Sequence, residues 1–140
     1  MTDVRLMAVD PQRVEQIWPA ARPFIESAYK DADQDIPPQI LRDLTKGTRL
    51  LWLAVDENET IIAAMLTQLF QMASGKMCKM QECGGERMKE WKHLRRRIED
   101  YARAEGCYKV LVEGREGWKR IMPDYEQVAV VLEKRLLNHG

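Results

Sequence analysis

Residues 76–106 read KMCKMQECGGERMKEWKHLRRRIEDYARAEG. The pattern predicts a strand, a tight turn at Gly84-Gly85, and one long amphipathic helix over 86–105. A strand that feeds a helix through adjacent glycines turns backbone N–H groups toward whatever sits above the turn, the geometry of an anion site. The first charged side chain past the turn is Glu86. An acid there takes the helix-dipole energy for itself, ~0.3–1 kcal/mol, and repels a diphosphate. The stretch thus offers a phosphate cradle together with an acid that opposes it.

The helix places Met88, Trp91, Leu94, Ile98, Tyr101 and Ala102 on one stripe, and Gly106 ends it. Residues 107–113, CYKVLVE, make the next strand. Strand, helix and strand over 76–113 imply a right-handed crossover and a parallel pair.

Toward the N-terminus, Val4–Val9 alternates as a first strand, and Asp10-Pro11 is a helix start. The helix that follows carries Val14, Ile17, Trp18, Ala21, Phe24, Ile25 and Ala28 at helical spacing, and Pro19 and Pro23 predict a kink or a break in it. Pro37-Pro38 opens a second, short helix closed by Gly47. Residues 50–70 read as an antiparallel hairpin about Asp56–Glu59. Beyond Glu113, Gly114–Gly117 leads into a short helix over 118–122, and Gln127–Leu136 reads as a last, edge-like strand. The order is β-α-α-β-β-β-α-β-α-β, an α+β class with helices packed on a twisted mixed sheet, in one domain over residues 1–140.

Composition narrows function without naming it. Formal net charge is +0, which gives no general affinity for nucleic acid. Residues 1–70 hold 7 Lys+Arg against 11 Asp+Glu, and residues 71–140 hold the other 15 and 11, so the second half is the basic one. Cys78, Cys83 and Cys107 are odd in number and lack zinc-type spacing, which fits a reduced intracellular setting and no metal. No apolar run has the length of a signal or a membrane span. Arg95-Arg96-Arg97 fans around its helix and is interleaved with acids, a solvated face rather than a phosphate-backbone stripe.

The element order, with a phosphate-type turn between the fourth strand and a long helix, resembles the GNAT acetyltransferase superfamily. In that family the pantetheine arm of acetyl-CoA lies between splayed fourth and fifth strands, and its pyrophosphate sits on a Q/R-x-x-G-x-G/A turn. Gln81-Glu82-Cys83-Gly84-Gly85-Glu86 matches the first position and the first glycine of that pattern and departs at Glu86. The family tyrosine that protonates the departing thiolate falls on Ile121 or Met122, with Tyr125 nearby. The run Gly114-Arg115-Glu116-Gly117-Trp118-Lys119-Arg120, followed by Asp124-Tyr125, looks like small GNAT-fold proteins of tailed phages and prophages, in which the fold is often kept while the site erodes.

The resemblance implies one of two functions. The first is a non-catalytic phage-type accessory protein, an interaction module in a virion or its assembly, with no cofactor and with phage structural proteins as partners. It would reside in the bacterial host cytoplasm or the virion. Trp118, flanked by Arg115 and Arg120, is its interface anchor. The second is an acetyl-CoA-dependent N-acetyltransferase. Gln81, Cys83, Gly84, Gly85 and Glu86 would then hold the pyrophosphate, Glu82 or Glu113 would take the acceptor's proton, and Tyr125 would return one. The plainer readings are solvated strand-end carboxylates, a structural cysteine at Cys83 and a packing role for Tyr125.

Overall fold

The structure, a computed structural model, describes residues 4–31, 36–86, 95–113, 122–130 and 132–137. Its elements are β1 (Arg5–Ala8), a 3-10 turn (Pro11–Arg13), α1 (Val14–Asp31), α2 (Gln39–Lys46), β2 (Arg49–Val55), β3 (Ile61–Met72), β4 (Gly75–Gly85), α3 (Arg95–Ala104) and β5 (Cys107–Val112). One five-stranded sheet runs in the order β1-β2-β3-β4-β5. The first three pairings are antiparallel, and β4 with β5 is parallel. The parallel pairing of β4 with β5 is therefore as the sequence predicts, and the α+β class with a mixed sheet holds.

Local chemistry explains most boundaries. Asp10 Oδ1 accepts from Gln12 N–H at 2.9 Å, and Pro11 opens the first turn, where a missing N–H costs nothing. Gly47 closes α2 in the left-handed conformation, φ +79°. The β2–β3 turn is held by Asp56, whose Oδ1 accepts from Asn58 and Thr60 N–H, both at 2.9 Å.

Helix α1 runs unbroken through Pro19 and Pro23, where the sequence predicts a kink or two helices. The reason lies in position. Val14, Trp18, Ala21 and Ile25 are buried, while Glu15, Pro19 and Pro23 are exposed. The carbonyls that lose their N–H partners therefore face water, which can satisfy them.

The core has two halves, one on each face of the sheet. On one face α1 and α2 cover Leu51, Leu53, Val55, Ala64 and Leu66. On the other, Ile98 and Ala102 of α3 meet Trp52, Ala54, Met65, Cys78 and Met80. Trp52 Nε1–H donates to buried Thr67 Oγ1 at 2.9 Å, and the Tyr101 ring meets Trp52 edge-on at 5.4 Å. Trp18 and Trp52 are core, as their spacing predicts; Trp91 and Trp118 lie outside the described residues.

Two expectations are corrected. Gly84 and Gly85 do not form a turn. They are the last residues of β4, opposite Ala64 and Ala63. Glu86 N–H then bonds Ile62 carbonyl oxygen at 2.8 Å, so this amide belongs to the sheet and not to an anion cradle. A Cβ on Gly84 would sit 2.0 Å from the Phe24 carbonyl oxygen, and one on Gly85 2.4 Å from Ala63 Cβ. Both glycines are there so that backbone and strand can approach closely. The second correction is the last strand. The described residues of 125–137 have no helix and no ladder partner. The start of the long helix (87–94) and the Gly114–Ile121 segment lie outside the described residues.

Gly84→Ala is expected to cost about 1–3 kcal/mol or more in urea unfolding, because the opposing atom is backbone and cannot rotate away. Gly106→Ala, at φ +81° with nothing within 4 Å of a Cβ, should lose only about 1 kcal/mol from backbone strain. Similar losses at both positions would show that α1 does not press on β4.

Candidate functional site

The ladder between β3 and β4 slips once. Met65 stands opposite Cys83 and Thr67 opposite Met80, so Leu66 alone faces Gln81 and Glu82. This is a β-bulge, and bulges re-aim side chains. Cys83 packs toward the α3 face, and Gly84 faces α1. Simple alternation from Glu82 would send Gln81 to the α3 face. Instead both Gln81 and Glu82 reach partners on the α1 face. Gln81 Nε2 lies 3.4 Å from Gln68 Oε1, and Glu82 forms an ion pair with Arg49 across β3. Arg49 and Gln68 are themselves Cα partners in the sheet.

Tyr29, near the end of α1, completes this group. Its hydroxyl lies close enough to Glu82 and Arg49 to feel both. Burial first, and then the Glu82 carboxylate, push its pKa up to about 12, with Arg49 opposing. At neutral pH Tyr29 is therefore a proton-bearing group beside a carboxylate. The Arg49 side chain is 10 % exposed, and its Nε has no partner among the described residues; nor has buried Gln81 Oε1. A buried donor and a buried acceptor left open in one polar cluster are what a bound polar group or a water would satisfy.

Beside the bulge β4 runs on past its parallel partner. The parallel β4–β5 pairing ends at Met80 with Val112, and Glu113 N–H bonds Met80 carbonyl oxygen at 3.2 Å. Strand β4 continues through Gln81–Gly85 without β5 alongside. Its edge turned away from β3 thus carries peptide groups over that span, which suits an extended ligand with amide groups of its own.

The residues nominated from sequence fall into separate groups. Glu82 belongs to the Arg49–Tyr29 cluster. Glu113 is exposed and pairs with Lys79 at 3.0 Å. Tyr125 lies beyond β5 on the α3 side, where its hydroxyl donates to Glu99 at 2.6 Å. Burial, then the bond to Glu99 and its charge, raise the Tyr125 pKa. Arg95 ties the neighbouring Asp124 at 3.0 Å. Cys83 is buried enough that its thiol pKa rises to about 12. That makes it an inert thiol rather than a nucleophile. Arg115, Trp118 and Arg120 lie outside the described residues.

Sequence reasoning missed Tyr29, Arg49 and Gln68. The available signal was parity. Arg49 and Gln68 occupy core-facing positions of strands that are otherwise apolar on that face, and a charge placed there needs a buried partner.

No protein-family model and no curated protein sequence matches the chain. Solved structures do match its shape. An aminoglycoside acetyltransferase from an uncultured soil metagenomic sample superposes with TM-score 0.72 at 12 % identity, covering 96 % of this chain and 97 % of that one. A predicted acetyltransferase from Clostridium acetobutylicum, crystallised with acetyl-CoA, gives 0.61 at 15 % identity, covering 98 % and 99 %. Glucosamine-6-phosphate N-acetyltransferase from Arabidopsis thaliana gives 0.62 at 12 % identity, covering 95 % and 98 %. The chain has the GNAT fold over nearly its whole length. At these identities the likeness is one of architecture.

Two measurements check the electrostatics. At about pH 8 a thiol reagent should label Cys107 first, with Cys78 and Cys83, both raised to about 12, reacting only on unfolding. Tyr29, Tyr101, Cys78 and Cys83 keep their protons longer in the folded chain than in the unfolded one. The stability this contributes is complete below about pH 9, where the unfolded thiols begin to ionise, and is lost as pH rises toward 12. Melting temperature should therefore decline from about pH 9 upward, and Tyr29→Phe should make that decline shallower.

Proposed function

We propose that this chain binds acetyl-CoA in the opening between β4 and β5 and transfers the acetyl group to an amine. The observation that carries the reading is the bulge at Gln81–Glu82 standing where β4 runs on past β5. A carboxylate, a protonated phenol and the open Gln81 Oε1 stand beside a strand edge that carries no partner strand among the described residues. Acetyl-CoA supplies an acyl carbon activated as a thioester. The edge of β4 over Gln81–Gly85 would hold the amides of the pantetheine arm. Glu82, released from one arm of Arg49, would take the proton of the acceptor amine. Tyr29 keeps a proton at neutral pH and would return it to the departing thiolate, while Tyr125, bonded to Glu99 on the α3 side, stays with its packing role. Glu113, paired with Lys79 at the strand end, would be the base in place of Glu82.

A second reading keeps the fold and drops the chemistry. It is favoured by the pairing of each acid or base nominated from sequence: Glu82 with Arg49, Glu113 with Lys79, and Tyr125 with Glu99. With the Gly-Arg-Glu-Gly-Trp run after β5, this supports a phage-type accessory protein that binds phage structural proteins, in the virion or the host cytoplasm.

The ligand decides between them. Acetyl-CoA at about a hundred times its dissociation constant should add about 2.7 kcal/mol to a protein that binds it only when folded, roughly 5–10 °C of melting temperature. Glu82→Gln should keep that shift while lowering acetyl transfer at least about 100-fold. No shift at millimolar acetyl-CoA, in the wild type and in Glu86→Ala alike, would leave the accessory reading standing.

A further inference from the structure

The ion pair of Arg49 with Glu82 sets a charge problem for any proton that Glu82 accepts. The Arg49 side chain is 10 % exposed and that of Glu82 21 %. A guanidinium keeps its proton in a protein, so Arg49 stays cationic. When Glu82 takes a proton, that nearly buried cation loses the anion beside it. An unpaired buried charge is among the costliest arrangements a folded chain can hold. Among the described residues no second acid pairs with Arg49. Glu26, one helical turn before Tyr29, is already engaged by Arg22.

Two open polar atoms describe what would resolve this. Arg49 Nε is a buried donor and Gln81 Oε1 a buried acceptor, and neither has a partner among the described residues. Their complement is a ligand with an oxygen for the guanidinium and an N–H for the amide oxygen. The bulge turns Gln81 and Glu82 to one face, so an N–H donor that meets Gln81 Oε1 is brought to the side of Glu82. A nitrogen there and an anionic oxygen on Arg49 belong to one small molecule. Both open atoms are closed to solvent while the ion pair is intact, so the ligand enters by parting it.

We infer that the acceptor amine is that of a small amino acid, an inference that rests on the acetyl-transfer reading above. The acceptor's carboxylate takes the place of Glu82 on Arg49. Glu82, set free, takes one N–H proton from the acceptor nitrogen, which Gln81 Oε1 holds beside it. The guanidinium faces one anion before and after the transfer, so no buried charge is left alone. An amine without an anion cannot make the exchange, and Glu82 stays tied to Arg49. Arg49 is thus the residue that selects the acceptor, and the acceptor unlocks its own base.

The product amides test binding without acetyl-CoA. N-acetylglycine at millimolar concentration and matched ionic strength should raise the melting temperature of the full chain. N-ethylacetamide, with the same amide and no carboxylate, should not. Arg49→Lys keeps the charge and loses the planar fork, and should weaken N-acetylglycine binding about 10-fold. With acetyl-CoA present, kcat/KM for glycine should exceed that for ethylamine about 100-fold or more, because a site built for a polar group rejects the analogue that lacks it. Arg49→Met should erase that preference. Equal shifts from the two amides, or equal rates with glycine and ethylamine, would overturn the inference and leave acetyl transfer standing wherever acetyl-CoA still raises the melting temperature. No shift with acetyl-CoA would remove the transfer reading, and the inference with it.

Discussion

Gly84 has no side chain, and the place a Cβ would take is already filled by the Phe24 carbonyl oxygen. Much else rests on that contact. It lets the backbone of α1 lie directly against β4 and sets the depth of the helix over the sheet. With α1 at that depth, Val14, Ala21 and Ile25 close the first half of the core, and Tyr29 arrives above Arg49 and Glu82. A side chain at residue 84 would lift α1 and carry Tyr29 away with it. Packing and the polar cluster are thus one geometric problem.

The bulge solves the other half of that problem. A regular strand shows one face to α1 and the other to α3, so consecutive residues cannot serve one cluster. The extra residue between Met80 and Cys83 breaks the alternation and brings Gln81 and Glu82 to the same face. Arg49 reaches Glu82 across Gln68 and Leu66 of β3, which lie on the same face. The result is a charged group at the margin of an apolar layer, held by a cation that is itself nearly buried. Taking two charges out of water costs several kcal/mol before they attract each other. Stability alone is a poor reason to keep such a pair, which is why it draws a functional reading.

What was legible in the sequence was what local chemistry dictates. Asp10 and Gly47 mark helix ends through caps, Pro37-Pro38 marks one through proline's fixed φ, and the apolar run Leu50–Val55 marks a strand buried on both faces. The parallel crossover follows from strand, helix and strand in succession. The glycine pair misled because adjacent glycines serve a turn and a close approach equally well; only the position of Phe24, some sixty residues earlier, separates the two. The prolines of α1 misled for a similar reason, since their cost depends on which face meets water. Glu82 was found as a strand-end acid, but its partners come from the end of α1, the start of β2 and the middle of β3. No spacing rule joins residues so far apart in the chain. Tyr125 was found as well, yet Glu99 holds it on the far side of β5 from Glu82.

The sheet's order also carries a kinetic meaning. Strands β2, β3 and β4 follow one another through short turns, so their pairings need only local loop closure. Strand β5 pairs in parallel with β4, and its contacts wait on the crossover segment and the docking of Ile98 and Ala102 against Met80 and Trp52. Contacts far apart in sequence form late because the chain entropy is lost before they repay it. The three-strand meander should therefore be the folding nucleus, with β5 zipping on last. Thermal breathing in the finished protein should run in reverse, beginning where β5 parts from β4, at the mouth of the opening.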